Sequence, residues 1–431
     1  MYRISFLVSV LMMSISFSLL PKQADATAAF ARSTGASCNK CHTASFPRLT
    51  MKGERFMRNG FQMRKQADDL AFGLDDEALK DSDEIVKKVS EILSVTGGTE
   101  LMSSNSDDAY PALIAQKDIS LLATTSVSKD FAVWAGVEIN DEMVELHRFF
   151  ISRTNFFDST WFNARAGSLD PTTWTSFYGH GAALDSASSG IGAYGGGHHG
   201  GGSGFTPVGI GFDEQNGIEY YGYNKALFWS VGLSNGSSAH GDDHGDLQAH
   251  SSLPANEAHG VTTETHHATG ADKLDYWVVG RFDFLKDSSM SLLWYNANGS
   301  QELQMYSLAA NLRFKKLDLR GQVSLDNTGN DDRYSRMGIT MQADYAIAKT
   351  LAGILRFDTT DHGVGSDSVE TQVTAAWIYK PVQNIKVTFA YVAELMAAAE
   401  PSADGHAHGH AGETAISGFG SHATARIRFM F

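Results

Sequence analysis

Leu317-Asp318-Leu319-Arg320-Gly321-Gln322-Val323-Ser324-Leu325 decides the fold. Odd positions are apolar or glycine and even positions are polar, which is the two-residue period of a β-strand with one face toward hydrocarbon and the other toward water. The same alternation runs through Leu274-Asp275-Tyr276-Trp277-Val278-Val279-Gly280-Arg281-Phe282-Asp283-Phe284, where the even positions are apolar or Gly. It returns where Ile385, Val387, Phe389 and Tyr391 alternate with Lys386, Thr388 and Ala390. A soluble β-sandwich gives this pattern too.

Three features favour a membrane barrel. The segments run about 10 to 15 residues, suited to a tilted strand crossing a bilayer and long for a sandwich. The last residues, Ala425-Arg426-Ile427-Arg428-Phe429-Met430-Phe431, alternate up to a terminal Phe and resemble the C-terminal signal of bacterial outer-membrane barrels. Connections alternate in length. The tight ones carry Lys129, Asn224-Lys225, Lys286-Asp287, Lys315-Lys316, Lys349 and Lys380-Pro381. The longer ones run from Ser103 to Ala112, Pro171 to Gly217, Gly236 to Asp272, Asp326 to Arg333, Thr359 to Val369 and Ala397 to Ser417, with short exceptions near Asn140 and at Asn298-Gly299. Short periplasmic turns and long external loops are the habit of an outer-membrane barrel. The expected fold is an all-β transmembrane β-barrel of about sixteen antiparallel strands over residues 91–431, with both barrel ends periplasmic. The second strand is expected to start near Leu113, the fourth near His147 and the last near Gly418.

Composition agrees. In 431 residues, 42% are hydrophobic and only 19% charged, with 42 Gly and 8 Pro, which argues against a disordered chain. A formal net charge of −15 excludes nucleic acid as a partner, since phosphate binding needs a basic patch. Arg3, the apolar run Ile4 to Leu20 and the small-x-small pattern Ala24-Asp25-Ala26 read as an export signal over residues 1–26; an uncleaved anchor is the alternative.

Both of the chain's two cysteines fall in Cys38-Asn39-Lys40-Cys41-His42. An exported chain could join two cysteines as a disulfide. The two-residue spacing with His directly after the second thiol instead favours covalent attachment of one c-type haem, each thiol adding to a vinyl group and His42 binding the iron. Residues 27–73 then form a small α-helical cytochrome c segment. Phe46, Leu49, Phe56 and Gly60 approximate one helical face, with Gly60 as its stop. So short a segment is too small to enclose a haem alone and must lean on something else. Met63 is the preferred second axial ligand; Met57, Met51, a barrel histidine, or plain packing of these methionines are the alternatives. Residues 74–90, with Asp75-Asp76-Glu77, Lys80-Asp81, Asp83-Glu84 and Lys87-Lys88, read as a solvated linker or helix.

The chain has 16 His. Apart from His42, and from His147 and His422 at strand ends, all fall in the longer connections: His180, His198, His199, His240, His244, His250, His259, His266, His267, His362, His406, His408 and His410. Asp242, Asp243, Asp246, Glu257 and Glu264 lie among them. Imidazole with carboxylate suits divalent transition metals such as Fe(II). His240, His244, His406, His408 and His410 are the candidate loop contacts; compositional drift in polar loops is the alternative. The spacing in His406-Ala407-His408-Gly409-His410 is a loose chelator pattern and not a closed structural zinc site.

Phe30-Ala31-Arg32-Ser33-Thr34-Gly35, Cys38-Asn39-Lys40-Cys41-His42, Phe46-Pro47-Arg48-Leu49, Gly53-Glu54-Arg55-Phe56 and Asn59-Gly60-Phe61 together resemble the fused monohaem cytochrome c–porin family. Its best-known branch is the outer-membrane iron oxidases. The resemblance implies an outer-membrane electron-transfer protein that takes one electron from extracellular Fe(II) and passes it to a periplasmic electron-carrier cytochrome. A porin-sized interior is wide enough to hold the small segment. The alternatives are a metal-collecting porin whose haem senses redox state or reduces metal, and electron flow outward to an external acceptor.

Overall fold

The computed structural model describes residues 29–62, 92–104, 118–126, 128, 130–139, 144–177, 215–235, 274–285, 287–298, 303–328, 335–361, 369–382, 384–396 and 422–430. Sixteen antiparallel strands close into one barrel, each paired with its sequence neighbours. They are β1 (Leu93–Ser104), β2 (Asp118–Ser126), β3 (Phe131–Ile139), β4 (Val144–Arg153), β5 (Asn163–Leu169), β6 (Gln215–Tyr223), β7 (Leu227–Ser234) and β8 (Asp275–Phe284). The second half is β9 (Ser288–Ala297), β10 (Leu303–Phe314), β11 (Leu317–Thr328), β12 (Ser335–Ala348), β13 (Leu351–Asp361), β14 (Val369–Val382), β15 (Ile385–Met396) and β16 (His422–Met430). The seam is β1 against β16, in register from Thr96 opposite Met430 to Ser104 opposite His422. Closure leaves no strand edge, so each strand finds its ladder partners within the barrel.

The alternation sorts side chains as the sequence predicts. In β8, Asp275, Trp277, Val279, Arg281 and Asp283 are buried inside, while Val278, Gly280 and Phe282 face out. In β11, Asp318, Arg320, Gln322 and Ser324 point inward, and Leu319, Val323 and Leu325 are exposed. Exposed aliphatic residues such as Leu233, Leu292, Leu308 and Leu355 continue this outer belt. Phe131, Phe157, Phe162, Phe314 and Tyr345 are exposed toward the short-turn end, where an aromatic girdle meets the headgroups. An apolar belt outside and polar pairs inside, such as Arg356 Nε to Asp358 Oδ1 at 2.9 Å and Thr340 Oγ1 to Asp358 Oδ1 at 2.6 Å, make a barrel built to stand in a bilayer. Among the described residues no helix is long and apolar enough to cross a membrane. This barrel crosses with strands.

Connections alternate as expected. Two residues, Lys315 and Lys316, join β10 to β11, and Lys349 and Thr350 join β12 to β13. Lys380 and Pro381 close β14 and do not form its turn, which follows Val382. The described parts of β2 and β16 begin at Asp118 and His422, after the expected starts, and β4 begins at Val144, earlier than expected.

The connection after β5 does not run outward at once. Asp170–Phe177 folds into the lumen and is buried. Asp170 Oδ1 accepts from Thr172 N and Oγ1, both at 2.7 Å. Trp174 Nε1 donates to Glu219 Oε2 at 2.9 Å, and Ser176 N donates to Ser291 Oγ at 2.7 Å. The expected external loop from Pro171 therefore begins as a lumen element, because Trp174 and Phe177 bury their rings against the wall.

Among the described residues, three short helices precede the barrel: α1 (Ala29–Thr34), α2 (Cys38–Cys41) and α3 (Met51–Arg58). The helix with Gly60 as its stop is real but shorter than the face from Phe46 to Gly60 suggests. Thr50 caps it, its hydroxyl accepting from Gly53 N at 3.3 Å, so Phe46 and Leu49 lie on the loop before it. Pro47, with no N–H to give, fits that loop. Asn59 is the C-cap, and Gly60 and Phe61 both take left-handed φ, at 63° and 60°. That turn drops Phe61 beside Phe56.

Candidate functional site

Cys38 to Cys41 form a single helical turn, and His42 leaves it in extended conformation. His42 N donates to Cys38 O at 2.8 Å. The chain then loops and returns, with Leu49 bridged antiparallel to His42. Thr50 N donates to Cys41 O at 2.8 Å. Gly53 lets α3 lie directly on this turn, since a Cβ there would stand 2.4 Å from Cys41 O. Two helices and one loop thus fix the three candidate side chains.

Both thiols are free and partly exposed. Burial raises the Cys38 and Cys41 pKa values; Lys380 pulls against this at Cys38, and Lys52 and Lys40 do so at Cys41. His42 Nδ1 lies 2.6 Å from Pro47 O. A carbonyl only accepts, so Nδ1 carries the hydrogen and Nε2 is the unprotonated ring nitrogen. Burial, aided by Lys380, lowers the His42 pKa to about 4, so the ring is neutral at pH 7. Phe46 lies 4.6 Å from it, centroid to centroid. Two free thiols one turn apart, followed by a neutral imidazole with a fixed tautomer, fit the donor set of a covalently held haem.

The segment is seated inside the barrel. Ala29 N donates to Ser94 Oγ of β1 at 2.8 Å, and Ser126 Oγ of β2 donates to Gly60 O at 2.9 Å. Phe61 packs on Trp134 of β3 and Phe150 of β4. Tyr221 Oη of β6 donates to Arg58 O at 3.0 Å, and the Arg58 guanidinium lies 4.8 Å from the Phe228 ring of β7. Lys380 Nζ of β14 donates to Thr43 O at 3.2 Å. A segment that touches strands all the way around a closed barrel lies in its lumen.

Ion pairs do much of the seating. Arg58 Nη1 lies 2.8 Å from Asp283 Oδ2, and Glu54 pairs with Arg281. Arg48 Nη1 lies 2.5 Å from Asp318 Oδ2 and 3.7 Å from Asp344 Oδ2. Desolvation lowers the pKa of Arg58, and that of Arg48 to about 9, yet each keeps carboxylate partners. Removing one member of such a pair leaves the other charged, buried and alone. Met51 N donates to Asp287 Oδ1 at 3.0 Å, in the turn between β8 and β9. Together with the Ser126, Lys380 and Arg313 contacts near strand ends, this places the segment at the short-turn mouth.

On the lumen side, Leu49, Glu54, Met57 and Arg58 line a small solvent-open cleft together with Thr173–Ser176 of the inward loop. Glu219, fully buried, holds that side together: it accepts from Arg165 Nε, Trp174 Nε1 and, at 3.1 Å, Trp277 Nε1. Sequence reading misses Glu219, Arg281, Asp283, Asp318 and Asp344 as site-supporting residues. Their inward charge is visible in the alternation, but their partners lie far along the chain.

Met51 and Met57 are turned to the barrel interior: Met51 Sδ accepts from Arg281 Nη2 at 3.8 Å, and Met57 packs against the aromatic cluster. Met63, His240, His244, His406, His408, His410 and the other loop histidines lie outside the described residues, as do the side chains of His147 and His422. Among the described residues no cluster of three or more His, Cys, Asp or Glu is arranged to hold a metal ion.

No protein-family model and no curated relative matches the chain. Solved structures do. An anion-selective porin from Comamonas acidovorans matches with a TM-score of 0.51 at 14% identity, covering 79% of this chain and 98% of that one. Salmonella typhi OmpF, in a complex with daunomycin, matches with a TM-score of 0.50 at 10% identity, covering 79% and 97%. The barrel has the fold of outer-membrane porins.

Proposed function

We propose that this porin-type barrel is an outer-membrane electron-transfer protein, oxidising extracellular Fe(II) and passing the electron to a periplasmic cytochrome. The observation that carries the reading is the Cys38-Cys41-His42 turn seated in the lumen, with its imidazole neutral and its Nδ1 held by Pro47 O. Cys38 and Cys41 would hold a haem c covalently and His42 would ligate its iron. Met63 remains the proposed second ligand, with Met57 the next candidate. A haem bound there supplies a one-electron redox centre.

The protein's own work is placement. The pairs Arg58–Asp283, Glu54–Arg281 and Arg48–Asp318 hold the segment to the wall, and the aromatic cluster around Phe56 and Phe61 excludes water from that side. The lumen then joins the outer face to the seated segment. The histidines of the longer connections, His240, His244, His406, His408 and His410 foremost, would collect Fe(II) loosely and release it. In the net step one Fe(II) becomes Fe(III), and one electron reduces an acceptor on the short-turn side.

Liposomes carrying the protein, with oxidised cytochrome c inside and Fe(II) added outside, test this. Internal cytochrome should be reduced at a rate proportional to the protein, and Cys38→Ala should abolish the reduction. A metal-collecting porin would instead let Fe(II) enter at the same rate in the Cys38→Ala protein, and that result would defeat the proposal.

A further inference from the structure

We infer that the short-turn mouth is a docking face for an acidic protein, and that the electron acceptor of the proposed function is therefore an acidic carrier; the second half of this rests on that reading. The chain has 49 Asp and Glu against 34 Lys and Arg, so composition alone predicts an acidic surface on every side. The short-turn mouth breaks that expectation.

On α3, Lys52 and Arg55 are exposed, whereas Glu54, Met57 and Arg58 line the lumen cleft. The helix that carries them sits at the short-turn mouth, where Met51 N donates to Asp287 Oδ1. Lys40, between the two cysteines, is exposed as well. Lys52 and Lys40 stand close enough to the Cys41 thiol to act on it electrostatically. Lys40, Lys52 and Arg55 thus form a cationic collar beside the cysteine turn at the short-turn mouth. Around it, the exposed Lys315, Lys316 and Lys349 occupy the tight turns. The carboxylates near this mouth are mostly committed: Asp283, Asp318 and Asp344 are buried, and Asp287 accepts from Met51 N. Among the described residues of this end, Asp158 is the one fully exposed carboxylate.

Such a collar attracts an oppositely charged partner from beyond contact distance, raises its association rate and orients it with its acidic side toward the cysteines. It also disfavours a basic carrier. The effect must fade with salt, because exposed charges are screened within a Debye length.

The test uses the full-length, haem-loaded protein in detergent. The probes are a small acidic c-type cytochrome and a basic c-type cytochrome of similar size. Affinity is measured by thermophoresis at low and physiological ionic strength. The acidic probe should bind at least about tenfold tighter than the basic one at low salt, and lose most of that advantage when salt is added. Lys52→Glu with Arg55→Glu should cost about tenfold or more in affinity for the acidic probe, mostly through the association rate, as should Lys315→Glu with Lys316→Glu to a smaller degree. Haem content, read from the pyridine haemochrome spectrum, should stay at the wild-type level in both variants. Equal binding of the two probes, or indifference to charge reversal, overturns the inference. A gain of about tenfold on neutralising Asp75, Asp76 and Glu77 would assign the collar to the chain's own acidic stretch and overturn it as well. Charge-dependent binding without electron transfer from Fe(II) to the bound cytochrome would leave the docking face standing and defeat the function proposed above.

Discussion

Glu219 shows how much of the site rests on one carboxylate that no motif marks. It accepts from Arg165, Trp174 and Trp277, whose positions are 54, 45 and 58 residues away. Glu219→Gln keeps the shape but leaves Arg165 buried without its counter-charge, which should cost about 3–5 kcal/mol. Urea unfolding followed by tryptophan fluorescence would show it, with the emission of Trp174 and Trp277 shifted red as the inward loop loosens. Gly53 is the second such residue. Gly53→Ala brings a Cβ within 2.4 Å of Cys41 O, and α3 must lift off the cysteine turn. The expected result is a severalfold loss of covalent haem, measured on a haem-stained gel against total protein. At this scale the sequence is uneven. Cys38, Cys41 and His42 are legible because their chemistry is contiguous. Glu219 is silent because its role exists only once three distant strands and a loop meet.

The strands are the most legible elements. Residues 317–325 alternate without exception, and the barrel turns each inward polar side chain to the lumen and each apolar one outward. Barrel strands must satisfy lipid on one face and water on the other, so the pattern cannot drift. Helix α3 is less legible. Phe46 and Leu49 fall at helical spacing from Phe56, but Thr50 caps the helix and Pro47 belongs to the loop before it. Local capping outweighs a sparse apolar match. The inward loop Asp170–Phe177 reads as external polar chain because its Thr and Ser residues mask the two rings, Trp174 and Phe177, that it buries. Arg48 and Arg58 argue the element's attachment. Replacing both by Ala strands Asp283, Asp318 and Asp344 beside fewer cations and should loosen the seated segment. Limited trypsin digestion should then cut at Lys40 and Lys52 faster than in the wild type while the barrel stays intact; equal rates would show that the ion pairs do not hold it.

At the scale of the whole molecule, a small helical segment too short to build a core of its own packs against the lumen wall. The sequence shows both parts and the room for one inside the other, but not the contacts that join them, since pairs such as Arg58 with Asp283 join residues 225 positions apart. If the segment fills the short-turn mouth, the pore is narrowed from both the segment and the inward loop. Deleting residues 29–62 should raise single-channel conductance severalfold in planar bilayers, and removing Ala403 to His410 should leave conductance alone while weakening Fe(II) capture.

The most direct measurement is a reduced-minus-oxidised absorption spectrum recorded while purified wild-type protein is titrated anaerobically with Fe(II). The account predicts the bands of a reduced c-type haem, growing one electron per Fe(II) until one haem per chain is reduced, and no such bands in Cys38→Ala. A haem spectrum that Fe(II) leaves unchanged, or no haem in the wild type, would contradict it.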